Sequence, residues 1–79
     1  MTIEEILALN KFGYIGKCNC AGTPTEKYSN GDIIVYLQTK RKVFRVKRIN
    51  RTIKSYTPYP ELATYLNEYT ASLAGHVVA

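Results

Sequence analysis

The chain has no tryptophan, a single histidine, only two cysteines, and no acidic residue anywhere from Ile33 to Pro60. It also lacks any apolar run near the roughly 18 residues that a membrane-crossing helix requires. Each gap removes a class of function. Without an apolar span no membrane partner is expected. The start, Met1-Thr2-Ile3-Glu4-Glu5, is acidic where a signal peptide is basic, so the expected location is the cytoplasm. The one histidine, His76, lies near the C-terminus, which leaves Cys18 and Cys20 without a general base for nucleophilic catalysis. Asp32, the only aspartate, follows a turn signal and is expected to bond its own backbone. Glu4 and Glu5 are explained by the positive end of a helix dipole, and Gly22 and Gly31 form no phosphate-binding loop. The expectation is therefore a protein that is not an enzyme and uses no cofactor.

Two cysteines one residue apart cannot build a disulfide framework, so a reduced, turn-forming loop is expected around Cys18-Asn19-Cys20. The spacing would suit half of a zinc site, which makes Cys18 and Cys20 the candidate metal ligands. A closed site needs four ligands, however, and the chain offers only His76 beyond them. No metal is expected.

The 79 residues make one domain, 1–79, short enough that only about 60% of the unfolded chain's surface is buried on folding. Thr2 and Glu5 are spaced as a capping box, and Ile3, Ile6 and Leu7 share one face, so residues 2–10 read as a short amphipathic helix ended by Asn10 and Gly13. Phe12 to Lys17 would be a brief strand. The segment 18–25 is too rich in turn formers for regular structure. Asn30-Gly31 signals a turn into a strand over 32–38; Val43 to Ile49 alternates apolar with basic residues, and Thr52 to Thr57 closes the set. Tyr59-Pro60 suits a helix start, and Leu62, Tyr65, Leu66, Tyr69 and Leu73 form one helical stripe. Gly75 is expected to stop that helix and leave a flexible tail at 75–79. The fold class is α+β: a short N-terminal helix, a three-stranded antiparallel β-meander (four-stranded if Phe12 to Lys17 joins it), and a C-terminal amphipathic helix packed on one sheet face.

Charge is the best functional signal. Eight of the eleven Lys and Arg residues lie between Lys40 and Lys54. A turn at Lys40-Arg41 pairs Leu37 with Phe44 and Val35 with Val46, turning those four toward the helices. Tyr36, Ile34, Gln38, Val43, Arg45 and Lys47 then share the other face. For the last strand, a two-residue turn at Asn50-Arg51 puts Lys54 and Tyr56 on the basic face; a three-residue turn buries Tyr56 beside Val46 instead. Arg45, Lys47, Lys54, Lys40, Arg41 and Lys42 are the candidate phosphate contacts, and Tyr36 the candidate stacking ring, for a nucleic-acid partner. The competing expectation is an acidic protein surface, or a homo-oligomer covering an apolar patch near Ile34, Val43 and Ile49.

Two resemblances bear on these readings. The order α-β-β-β-α is similar to that of the double-stranded-RNA-binding domain, but the helix beginning Pro60-Glu61-Leu62-Ala63 lacks that family's basic start, and no site residue carries over. The segment Gly16-Lys17-Cys18-Asn19-Cys20-Ala21-Gly22-Thr23-Pro24-Thr25, followed by Tyr28-Ser29-Asn30-Gly31 and a basic strand pair, resembles short CxCxG-containing proteins of Bacteroidetes bacteria and their phages. That resemblance spans roughly residues 16–66. It implies a phage or host accessory protein, such as a virion component, an inhibitor or a regulator, placed in the host cytoplasm or the virion. It supplies no site residues.

Overall fold

The computed structural model describes residues 2–19 and 22–78, with side chains through Ala71. The chain runs α1 (Ile3–Leu9), β1 (Gly13–Cys18), β2 (Thr25–Ser29), β3 (Ile34–Gln38), β4 (Val43–Arg48), β5 (Arg51–Pro58), a 3₁₀ turn (Tyr59–Glu61) and α2 (Leu62–Val78). All five strands form one antiparallel meander in the order β1-β2-β3-β4-β5. The α+β class is as expected, but the sheet has five strands, and the order α-β-β-β-α no longer describes it. No helix among the described residues is long and apolar enough to cross a membrane.

The capping box is formed. Thr2 Oγ1 accepts from the Glu5 amide at 3.2 Å, and Glu5 accepts from the Thr2 amide at 3.0 Å. Asn10 caps the end of α1, as expected, but the left-handed residue after it is Lys11 and the stop is not at Gly13: Lys11 takes a φ of 65°, its amide donates to Ala8 O, and the Phe12 amide donates to Leu7 O. That pair of hydrogen bonds is a Schellman ending, and it brings Leu7 and Phe12 together in the core, as such endings commonly do.

In the β3–β4 hairpin the expected register is the observed one: Leu37 pairs with Phe44 and Val35 with Val46. All four are fully buried and pack with Leu7, Phe12, Ile33, Leu62 and Leu66 from the same side. Both helices contribute to this core, so the sheet has one covered face. Tyr28, on the same face of β2 as Val35 by pairing, adds its ring and meets Tyr14 of β1 edge-on at 5.3 Å.

The missed strand, Thr25–Ser29, carries only one large apolar side chain, Tyr28, among polar neighbours. It is held by ladder bonds on both sides, and the pairing of Glu26 with Lys17 places opposite charges across the strands. Two endings also differ from expectation. Pro60 lies in the entry turn, but that turn is 3₁₀ and is capped by Pro58. The backbone of α2 continues through Gly75 to Val78, because a glycine inside a helix costs about 1 kcal/mol relative to alanine and does not forbid it. Ala79 lies outside the described residues.

The turns are tied by side chains. Asn30 Oδ1 accepts from the amides of Asp32 and Ile33, at 2.9 and 3.0 Å. The backbone-bonding role expected of Asp32 thus belongs to Asn30. The Asp32 carboxylate instead takes two bonds from the Arg48 guanidinium, at 3.2 and 3.0 Å, and one from the Tyr69 hydroxyl at 2.6 Å. This network joins the β2–β3 turn, the end of β4 and α2. The Tyr69 hydroxyl, and then Arg48, hold the Asp32 carboxyl below its ordinary value; bonds to Thr2 do the same for Glu5. A carboxyl depressed in the folded state adds stability that is complete above its unfolded pKa of about 4 and is lost as pH falls through the lower folded value. Asp32→Asn is therefore expected to flatten the acid limb of a plot of Tm against pH between roughly 5 and 2. An unchanged acid limb would show that the network contributes nothing.

At the β4–β5 turn Arg48 pairs with Arg51, leaving Ile49 and Asn50 as the two-residue loop. Ile49 has φ 54° and Asn50 is not left-handed, the pattern of a turn whose first central position glycine normally fills. A branched side chain there is strained by about 1–2 kcal/mol. Ile49→Gly, after the entropic cost of glycine, is expected to stabilise the fold by about 1 kcal/mol and to raise Tm by roughly 4–8 °C. A fall in Tm on scanning calorimetry would contradict the assigned strain.

Candidate nucleic-acid interface

Strand pairing decides what the helix-free face displays. Lys27 of β2 pairs with Tyr36 of β3, and Tyr36 with Arg45 of β4. The Arg45 guanidinium lies 4.8 Å from the centroid of the Tyr36 ring and 5.5 Å from that of Tyr56 in β5. Arg41, from the β3–β4 turn, lies 5.7 Å from the centroid of the same Tyr56 ring. The result is a transverse row, Lys27, Tyr36, Arg45, Tyr56, in which cations and rings alternate across four strands. At about 4.8 Å between strands it spans roughly 14 Å.

The last member of the row depends on two irregularities of β5. Phe44 pairs with Thr57 and Val46 with Lys54, so Ser55 and Tyr56 together face Arg45. Val46 with Lys54 is then followed by Lys47 with Thr52, leaving Ile53 as a second extra residue. Each bulge turns the strand by one face. Tyr56 consequently joins the basic face while Lys54, two residues earlier, goes to the helix side. Neither sequence alternative for this strand is correct in full. Lys54 is removed from the basic face: its ammonium lies 5.8 Å from the Tyr65 ring, in a concavity shared with Glu61 of the 3₁₀ turn and Glu68 of α2.

The other expected residues stay on or beside the open face. Lys47 is half-buried two positions from Arg45 and pairs with Ile34; Lys40, Arg41 and Lys42 are exposed in the turn. Lys42 there has φ 54°, its amide donating to Gln38 O at 2.8 Å and its carbonyl accepting from the Tyr59 amide at 3.1 Å. Tyr36 is half-buried with one side of its ring occupied by Arg45, whereas Tyr56 is 40% exposed. Tyr56 is the more open ring of the pair.

Electrostatically the face is uncompensated. By register no acidic residue lies on the outer side of β2, β3 or β4: Glu26 points to the helix side, and Asp32 is engaged by Arg48. Arg48, raised further in pKa by that carboxylate, is thereby withdrawn from the basic surface. Arg45 has no carboxylate partner among the described residues; rings hold its guanidinium, and its Nε is buried without an acceptor. Guanidinium groups fixed by stacking keep their remaining donors free for oxygen acceptors.

Lys27 is not marked as a site residue by the sequence, and Tyr56 falls on the basic face in only one of the two alternatives for the last strand. Lys27 belongs to Thr25–Ser29, where no strand is expected from the sequence; its alternation with Tyr28 is the available signal. Tyr56 depends on a bulge. The apolar patch envisaged near Ile34, Val43 and Ile49 is not gathered: Ile34 pairs with Lys47 at one end of the face, Val43 with Gln38 at the other, and Ile49 stands at the hairpin tip.

As for metals, no group of three or more His, Cys, Asp or Glu residues comes together among the described residues. Cys18, at the end of β1, is disulfide-bonded and so is not the reduced thiol expected from its sequence; Cys20 lies outside the described residues. No protein-family model matches the chain, and no curated protein or solved structure does so either, which leaves the geometry of the sheet face as the basis for a functional reading.

Proposed function

We propose that this chain is a small, non-enzymatic nucleic-acid-binding module whose contact surface is the helix-free face of its sheet. The observation that carries the reading is the row Lys27–Tyr36–Arg45–Tyr56, cations and aromatic rings alternating on a face with no acidic residue in its three central strands. Nucleic acid requires both parts of that pattern: cations neutralise phosphates, and rings stack on bases. An acidic protein surface would be served by the cations but gives the rings no comparable task. Arg41, Lys40, Lys42 and Lys47 extend the positive field on either side of the row, steering a polyanion toward it.

Binding of labelled single-stranded and duplex oligonucleotides across a salt series tests the reading. If about five phosphates are neutralised, log K falls against log salt with a slope near −4.5 for duplex and near −3.5 for single strands. Binding that ignores salt, or no binding at low salt, would defeat the proposal and direct attention to an acidic protein partner.

A further inference from the structure

The tip of the β4–β5 hairpin carries a side chain that the fold does not use. Ile49 is 84% exposed and occupies a left-handed backbone position that a branched residue tolerates poorly. Strain of this kind, where another residue would fold better, commonly marks a position kept for function. Beside Ile49 the bulged Ile53 is also exposed, and the two share a shallow concavity with Arg48, Asn50, Arg51 and Thr52. Arg48 is engaged by Asp32, which anchors the base of the hairpin. Arg51 is exposed at the tip on the helix side, where it pairs with Arg48, and Lys47 lies on the outer face, so the two cations flank the tip from opposite sides.

We propose that Ile49 is an apolar wedge that enters a stacked base step of duplex nucleic acid while Arg51 and Lys47 hold the flanking phosphates. The inference rests on the nucleic-acid reading above and extends it to the form of the ligand. Insertion of an aliphatic side chain between bases, framed by cations, is an established way for proteins to open and kink a duplex. The tip suits it because the apolar group is rigid at χ1 and already projects into solvent, so no conformational change precedes insertion. A lipid surface is the less suitable ligand, since interfacial anchoring relies on a broad apolar face and the tip presents only Ile49 and Ile53.

The test uses the full chain and a short duplex carrying 2-aminopurine, whose fluorescence rises on unstacking, with a salt titration of affinity alongside. Wild type is expected to raise the fluorescence. Ile49→Gly is expected to bind roughly tenfold more weakly, with an unchanged salt slope and no fluorescence rise, while Ile49→Leu keeps both. Because the glycine variant should fold at least as well as wild type, its loss cannot be ascribed to unfolding. Duplex binding by wild type without a fluorescence rise overturns the wedge and leaves the nucleic-acid reading standing. Absence of binding to any oligonucleotide overturns both. If Ile49→Gly instead loses affinity for phosphatidylglycerol vesicles that wild type binds, the tip is a lipid contact and the wedge is overturned.

Discussion

Reversing two charges in the central row, Lys27→Glu with Arg45→Glu, is expected to cost most of the affinity for nucleic acid while the domain stays folded. Each phosphate contact contributes about 0.9 log units on duplex, or about 0.7 on a single strand, per tenfold change in salt below 1 M. At roughly 0.1 M salt, losing two contacts alone weakens binding about 25-fold on a single strand and about 60-fold on a duplex, and the repulsion introduced by the glutamates adds to this. The neutral variant Lys27→Gln with Arg45→Gln should show the first effect without the second. Lys54→Glu is the matched control: the same change in net charge per site, but on the helix side beside Tyr65. If affinity follows net charge alone, Lys54→Glu will weaken binding as much per charge as the others. If it follows the face, Lys54→Glu will be close to wild type. Fluorescence anisotropy on folded samples, checked by circular dichroism, separates the two.

The opposite face is expected to respond in the opposite way. Phe44 is fully buried, pairs with Leu37, and has its ring 6.1 Å from that of Tyr65 in α2, so it joins sheet to helix. Phe44→Ala is expected to cost about 3–5 kcal/mol, from lost transfer energy and the cavity left behind. Native domains have only about 5–15 kcal/mol to lose, and one of this size sits toward the low end. The variant should therefore be largely unfolded at 37 °C in urea-melt and circular dichroism measurements. Tyr56→Ala, a similarly large truncation on the exposed side, should shift the urea midpoint only slightly while reducing affinity. A Phe44→Ala protein with a near-native midpoint would mean that the helices do not pack on this side of the sheet.

These contrasts also explain what could be read from the residues alone. The alternation of apolar and basic residues in Val43–Arg48 sets its faces, because shifting it by one position would bury Arg45 and Lys47; the observed pairing of Leu37 with Phe44 follows. The capping box at Thr2 and Glu5 was equally legible, since both partners are local. Thr25–Ser29 was not, because a strand with a single large apolar residue gives no periodic signal and is specified by its neighbours. The bulges in Arg51–Pro58 were hidden for a different reason. Register within a strand is carried by alternation, and two inserted residues, at Ile53 and in the Ser55–Tyr56 pair, leave the alternation of Lys54 and Tyr56 misleading. That is why the sequence points Lys54 to the basic face and leaves Tyr56 open between the two faces. The left-handed Ile49 likewise carries no warning in its residue type, since glycine or asparagine is what such a position normally displays.

The most direct test of a sheet with one face for folding and one for binding is a map of backbone amide shifts during titration with an oligonucleotide. The largest changes are expected at Lys27, Tyr36, Arg45 and Tyr56, with further changes through Lys40–Lys42 and at the Ile49–Arg51 tip, while Leu62–Leu66 of α2 stays unmoved. Changes concentrated on α1 or α2, or none at saturating oligonucleotide in low salt, would contradict it.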